Sequence, residues 1–195
     1  MNKKYNKIAV IISVLLETIL IFSAAKNILQ NNMSKTVLHL LAMVCILLPF
    51  VISFIADKKK ICIPDSFNLV SVLFFVASLY LGEINEFYII LPWWDLLLHA
   101  FFGCYMVIVS LYAIKRVIRR EVDVSKNRYT MFSVIFAFSF TITLGTIWEV
   151  FEFLGDFIFR SGMIKGGIED TATDLLVKIV AAFITSTYYY LKTKS

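Results

Sequence analysis

Six apolar stretches, each long enough to cross a lipid bilayer, dominate this chain of 195 residues. A helix rises about 1.5 Å per residue, so about 20 apolar residues cross a hydrocarbon core of about 30 Å. The stretches cover residues 7–25, 37–56, 67–83, 93–114, 129–159 and 171–191, and we number them as the first to the sixth span. The sequence therefore predicts an all-α integral membrane protein, a six-helix bundle that forms one polytopic domain over residues 1–195.

The composition excludes several other classes of protein. With 7 Gly and 3 Pro, the chain has neither a Gly-rich phosphate loop nor a disordered Pro-rich tract. Cys45, Cys62 and Cys104 are too few and too scattered for a disulfide framework or a CxxC metal knuckle. The formal charge of +5 comes from an excess of Lys and Arg, which in a membrane protein remain on the cytoplasmic side and contact anionic lipid there. We therefore expect no binding to nucleic acid.

The first span is expected to be a retained helix rather than a cleaved signal peptide. Lys3 and Lys4 precede it, and residues 23–25 (Ser-Ala-Ala) resemble a cleavage site. The apolar stretch is nevertheless long for a signal peptide, and it contains Glu17.

The distribution of basic residues predicts the orientation. Fourteen Lys and Arg residues fall on the side of the membrane that carries both termini, and four fall on the opposite side. Because Lys and Arg accumulate in cytoplasmic loops, both termini are predicted to be cytoplasmic, in a multi-pass protein of the plasma or inner membrane. Trp93 and Trp94 then lie at the outer interface and Tyr188 to Tyr190 at the inner one, where aromatic residues are enriched.

Ionisable residues cluster on one face of the fourth and the sixth span. Each Asp, Lys or Arg at the centre of a span costs about 2.5–3.5 kcal/mol, so such residues usually face a protein interior or a wet cavity. Asp95 and His99 are four residues apart at the start of the fourth span. Asp170, Asp174 and Lys178 follow each other at four-residue steps at the start of the sixth. Residues at this spacing share a helix face.

The fifth span ends with a third polar face. Glu149, Glu152 and Asp156 lie within about 60° of one another around a helix. Gly145 lies on the same stripe one turn deeper, where a missing side chain allows another helix to approach.

The predicted topology puts the three polar faces at the same depth, in the outer half of the bilayer. We therefore expect one outward-facing pocket, in which the carboxylates and the imidazole act as ligands of a divalent cation such as Mg, Mn or Zn. The predicted metal ligands are Asp95, His99, Glu149, Glu152, Asp156, Asp170 and Asp174.

Several of these residues also have a simpler interpretation. Asp170 and Asp174 fit a helix cap, because acids favour a helix N-terminus. Asp156 is close enough to the interface to be solvated, and His99 can be a core histidine.

Lys178 and Glu17 are the other conspicuous charges inside the spans. Lys178 is predicted to pair with Asp174 on its own helix and to balance the acidic cluster, in preference to acting as a base. Glu17 is expected to make an interhelical hydrogen bond in its protonated form.

The last three spans resemble a known family. The motifs are Asp95-Leu-Leu-Leu-His99-Ala-Phe-Phe-Gly103, Trp148-Glu149-Val-Phe-Glu152-Phe153 and Asp170-Thr171-Ala-Thr-Asp174-Leu175. Together they resemble the YjdF-type bacterial inner-membrane proteins, which in turn resemble the VanZ-like family, named for a low-level teicoplanin-resistance protein. The resemblance implies a role in the cell envelope or in glycopeptide resistance. VanZ-like proteins tend to have Gln in place of Glu152, and Asn and Gly in place of Lys178 and Ala181, so the resemblance does not imply a shared reaction.

Three functions are compatible with this pocket. The favoured hypothesis is binding of a divalent cation or of a lipid-linked polar headgroup of the membrane. The second is a metal-dependent membrane enzyme that acts on a phospholipid or a cell-wall lipid intermediate, with Glu149 or Glu152 as general base and His99 as acid or ligand. The third is a small cation or proton transporter, although the inner half of the last three spans has no matching polar track.

Cysteine labelling tests the predicted orientation. The three native cysteines are replaced by alanine, and Asn85→Cys or Ser125→Cys is added. We expect a membrane-impermeant maleimide to label Asn85→Cys in intact cells and Ser125→Cys only after permeabilisation, because the basic loops stay inside. The reverse pattern would place the polar faces on the cytoplasmic side.

Overall fold

The computed structural model describes residues 6–118, 120–160, 164 and 167–194. Within these ranges every regular element is helical, and six helices are long and apolar enough to cross a membrane, which confirms the six predicted spans. The elements are α1 Lys7–Leu29, α2 Met33–Lys58, α3 Phe67–Phe75 with a π-helix over Val76–Ile84, α4 Phe87–Ile90, α5 Trp94–Val117, α6 Lys126–Phe159 and α7 Ile168–Lys194.

Asparagine side chains cap the N-termini of the first two helices. The side chain of Asn6 accepts hydrogen bonds from the backbone N–H groups of Ile8 and Ala9 and so begins α1. Asn32 accepts from the N–H of Lys35, so α2 begins four residues before its predicted start at residue 37. The π-helix and α4 were not predicted, because hydropathy reports the length of a span and not its hydrogen-bond register.

The helices group into two compact units. Among the described residues, the first unit contains 6–59, 65–95, 152–160 and 164, and the second contains 60–64, 96–118, 120–151 and 167–194. The residues of α6 are shared between the two units, so the division does not separate successive parts of the chain.

In the first unit, α1 packs against α2 and α3, and the π-helix packs against α2 and α4. The hydroxyl of Ser53 donates a buried hydrogen bond to the side-chain oxygen of Asn68, which joins α2 to α3. The indole N–H of Trp94 donates to the backbone carbonyl of Ala77 at 3.1 Å. This bond ties the residue that begins α5 to the π-helix.

The second unit contains most of α5 and α6 together with α7, and its apolar core is formed by Val107, Leu111, Ala137 and Ala182. Gly103 sets the approach of α5 to α7. A Cβ atom at this position would lie 2.7 Å from the backbone oxygen of Lys178 and 3.1 Å from the Cβ of Ala181. Because small residues allow membrane helices to approach closely, Gly103 explains why these two backbones nearly touch.

Substituting Gly103 tests this contact. Gly103→Ala is expected to reduce the free energy of unfolding by about 1–3 kcal/mol, because the added methyl group must push backbone atoms apart. Thermal denaturation in detergent measures the effect. Cys104→Ala is the matched control, since the Sγ atom at this neighbouring position makes only a weak contact, 3.9 Å from the oxygen of Ala181. Equal melting temperatures for both variants would show that the helices are not closely packed at Gly103.

Candidate functional site

Among the described residues of the second unit, four ionisable side chains are buried. His99 comes from α5, Glu149 from α6, and Asp174 and Lys178 from α7. Their exposed fractions are 7% for His99, 5% for Glu149, 3% for Asp174 and 2% for Lys178. Burial of charged groups in an apolar bundle is costly unless they are paired, so their contacts determine whether the unit is stable.

Lys178 forms an ion pair with Glu149, and its Nζ atom donates a hydrogen bond to Oε1 of the glutamate. Gly145 makes room for this contact, because a Cβ atom there would lie 3.0 Å from Cδ of Lys178. The predicted pairing of Lys178 with Asp174 on its own helix is therefore wrong. The lysine side chain passes over Gly145 to reach α6, whereas Asp174 faces His99.

His99 and Asp174 form the second pair. Nε2 of His99 lies 3.4 Å from Oδ2 of Asp174, so this contact joins α5 to α7. On α5 itself, Asp95 lies one turn before His99, and a carboxylate oxygen of Asp95 lies within 4.8 Å of a ring nitrogen of His99. Asp95 is half-buried, in contrast to the buried His99.

Three further predicted ligands, Glu152, Asp156 and Asp170, lie on α6 and α7. Glu152 and Asp156 are half-buried on α6, in the part of that helix that belongs to the first unit. Oδ2 of Asp156 accepts a hydrogen bond from the backbone N–H of Ile164 at 2.9 Å. Asp170 is half-buried in the first turn of α7. Within the described second unit, the predicted residues thus form two pairs, His99 with Asp174 and Glu149 with Lys178.

Glu17 and His39 differ from what the sequence predicted. The expected interhelical hydrogen bond of Glu17 is not formed by its buried Oε1 atom, which has no hydrogen-bond partner among the described residues. His39 in α2 is buried and was overlooked, although a lone histidine in an apolar span is itself a signal. Its Nδ1 lies 2.6 Å from the backbone oxygen of Lys35 and 3.5 Å from the amide nitrogen of Asn27.

Comparison with known proteins identifies the family. A family described as "Predicted membrane protein (DUF2238)" matches residues 8–195, which is nearly the whole chain. The chain belongs to this family. Together with the six apolar helices, the match supports a multi-pass location in a membrane.

The chain is also similar to an individual protein. An uncharacterized protein of Thermotoga maritima is 25% identical over 141 residues, which cover 71% of this chain and 65% of the relative. The chain therefore spans somewhat less than two thirds of that relative's length. No solved structure matches the chain.

Removing one partner of the ion pair between Lys178 and Glu149 is expected to destabilise the second unit. Lys178→Met is expected to reduce stability by about 3–5 kcal/mol, because it leaves Glu149 buried without its cation. Adding Glu149→Gln to Lys178→Met should restore most of that loss, because both charges are then removed. Denaturation in detergent measures both effects, and Lys192→Met at the exposed end of α7 is the control. A double variant as unstable as Lys178→Met would show that Lys178 stabilises the unit through other contacts.

Proposed function

We propose that this membrane protein binds a divalent metal ion through Asp95, His99 and Asp174. The observation that carries the proposal is the contact between two buried metal-ligating side chains, Nε2 of His99 and Oδ2 of Asp174, at 3.4 Å. Two ligands of one tetrahedral ion, each about 2.0–2.2 Å from the metal, lie about 3.3–3.6 Å apart. A hydrogen bond between the same atoms is usually shorter, at about 2.9 Å.

The charge balance supports a divalent ion. Lys178 and Glu149 neutralise each other, so neither is needed to balance the charge of the ligands. Two carboxylates and a neutral imidazole carry a charge of about −2, which a divalent ion neutralises inside the low-dielectric bundle. Mixed nitrogen and oxygen ligands favour Zn²⁺ or Mn²⁺ over Mg²⁺, which prefers oxygen ligands alone.

The metal would serve to hold a polar headgroup of a membrane lipid. An ion with three protein ligands retains at least one open position, and a phosphate oxygen of a lipid can occupy it. The proposed lipid is a phospholipid or a lipid-linked cell-wall intermediate, in agreement with the resemblance to the YjdF-type and VanZ-like families. The wider proposal is a role in the cell envelope, with glycopeptide resistance as the corresponding phenotype.

Binding is favoured over the two alternative functions. In the enzyme hypothesis Glu149 acts as a general base, but its carboxylate is already engaged by the ammonium group of Lys178. Glu152 stays the alternative base, and the transporter hypothesis lacks a matching polar track in the inner half of the last three spans.

Metal titration tests the proposal. The purified protein is stripped with EDTA, freed of chelator and titrated with Zn²⁺ or Mn²⁺. A saturating metal at about 100 times its Kd should stabilise the wild type by about 2.7 kcal/mol, measured as a rise in melting temperature. Asp174→Asn and His99→Ala should abolish that rise. His39→Ala should retain it, because His39 is a buried histidine of α2 and is not one of the three proposed ligands.

Two other outcomes separate the alternatives. If lipid extract raises the melting temperature of the EDTA-treated protein and metals do not, the pocket binds a headgroup without a metal. If neither metal nor lipid has an effect, His99 and Asp174 form a structural ion pair and the proposal fails.

A further inference from the structure

The connection between the third and the fourth span is apolar. It consists of residues 85–93, Asn-Glu-Phe-Tyr-Ile-Ile-Leu-Pro-Trp, and the last seven of these are apolar or aromatic. The connection between α1 and α2, residues 30–32, is Gln-Asn-Asn and lies on the same side of the membrane, because two spans separate the two connections. A connection that lies in water has no use for seven apolar residues in succession.

One side of this connection packs against the π-helix. The ring of Tyr88 lies against Gly82, where a Cβ atom would come within 2.5 Å of Cε2 of the tyrosine. The indole N–H of Trp94 donates to the carbonyl of Ala77, and its ring lies edge-on to that of Phe87 with 5.3 Å between the ring centroids. These contacts hold α4 and the start of α5 in one orientation relative to the π-helix.

The opposite side of the connection exposes large apolar side chains. Ile89 and Ile90 are each 65% exposed, and Trp93 is 54% exposed. Because the packed side is occupied by Tyr88 and Trp94, these three side chains stay on the outside. Exposed apolar patches of this kind mark surfaces that contact a membrane or another protein.

The backbone of the connection suits an environment without water. The N–H groups of Ile89, Ile90 and Leu91 each donate to a backbone carbonyl within the connection, at 2.8–3.1 Å. Pro92 has no N–H group to satisfy. Lipid offers no acceptor to a backbone N–H, so a segment in contact with lipid must pair its own donors, as residues 89–92 do.

We propose that residues 87–93 insert into the membrane interface on the side opposite the two termini, with Ile89, Ile90 and Trp93 among the lipid chains. Both ends of the connection join helices that are long and apolar enough to span a membrane, so the bilayer is the apolar phase that lies next to these side chains. Amphipathic segments bury their apolar side at the boundary between headgroups and acyl chains, and Trp is enriched at that level.

The proposed contact with lipid is apolar and not electrostatic. Residues 61–114 contain no Lys or Arg, and Glu86 begins the turn into α4. Basic side chains are what attracts a protein surface to anionic headgroups, so this connection has no such attraction. Insertion is therefore expected to be equal in zwitterionic and in anionic membranes.

Insertion of this connection does not depend on the proposed metal site, but it has a consequence for that site. Asp95, one of the three proposed ligands, comes two residues after Trp93 in the first turn of α5. Residues 87–93 at the interface would hold Asp95 near the level of the lipid headgroups. This consequence, unlike the insertion itself, rests on the proposed function.

Fluorescence quenching tests the insertion. The full-length protein, with its three cysteines replaced by alanine, carries Ile89→Cys or Ile90→Cys labelled with the fluorophore NBD. It is placed in phosphatidylcholine nanodiscs that hold one copy, with EDTA present so that a metal makes no contribution. Gln30→Cys is the matched control, because Gln30 is exposed on the polar connection of the same side.

We expect opposite quenching at the two connections. Lipid that is spin-labelled near its headgroup should quench NBD at residues 89 and 90, and aqueous iodide should lose most of the quenching that it shows at residue 30. NBD emission at residues 89 and 90 should also be blue-shifted, because the fluorophore leaves water. The same result is expected when phosphatidylglycerol replaces part of the phosphatidylcholine.

Four results would overturn the proposal. Iodide quenching at residues 89 and 90 as strong as at residue 30 would place the connection in water. Protection from both quenchers would show that protein covers these side chains. Protection from iodide that appears only in nanodiscs with two copies would assign the surface to a second copy of this chain. Quenching by spin-labelled lipid only when phosphatidylglycerol is present would show that headgroup charge, and not apolar contact, holds the segment.

Discussion

The ion pair between Lys178 and Glu149 is the interaction on which the second unit depends. Both side chains are almost completely buried between apolar helices, where an unpaired charge would cost several kcal/mol. The pair forms because Gly145 leaves space for the lysine side chain and Gly103 lets α7 approach α5. The position of α7, and with it the position of Asp174, therefore follows from two glycines and one buried salt bridge.

This pairing changes the chemistry of the polar cluster. The excess of acids over bases on the polar faces of the last three spans suggests that every carboxylate there needs an external cation. Lys178 and Glu149 neutralise each other. The carboxylates for a bound cation to neutralise are then those of Asp95 and Asp174, beside the imidazole of His99. A single divalent ion then suffices for neutrality, which makes the proposed site simpler than a seven-residue pocket.

Hydropathy and residue spacing by themselves determined the six spans and the polar faces of α5, α6 and α7. These properties are local, because the length of an apolar stretch and the periodicity of a helix do not depend on neighbouring elements. Only the tertiary structure decided the partner of Lys178, since Asp174 and Glu149 are both within reach of its long side chain and the choice depends on the space above Gly145. It also decided that the hydroxyl of Ser13 is buried without a hydrogen-bond partner among the described residues, because an unmade bond depends on every helix that packs around it and leaves no pattern in the sequence.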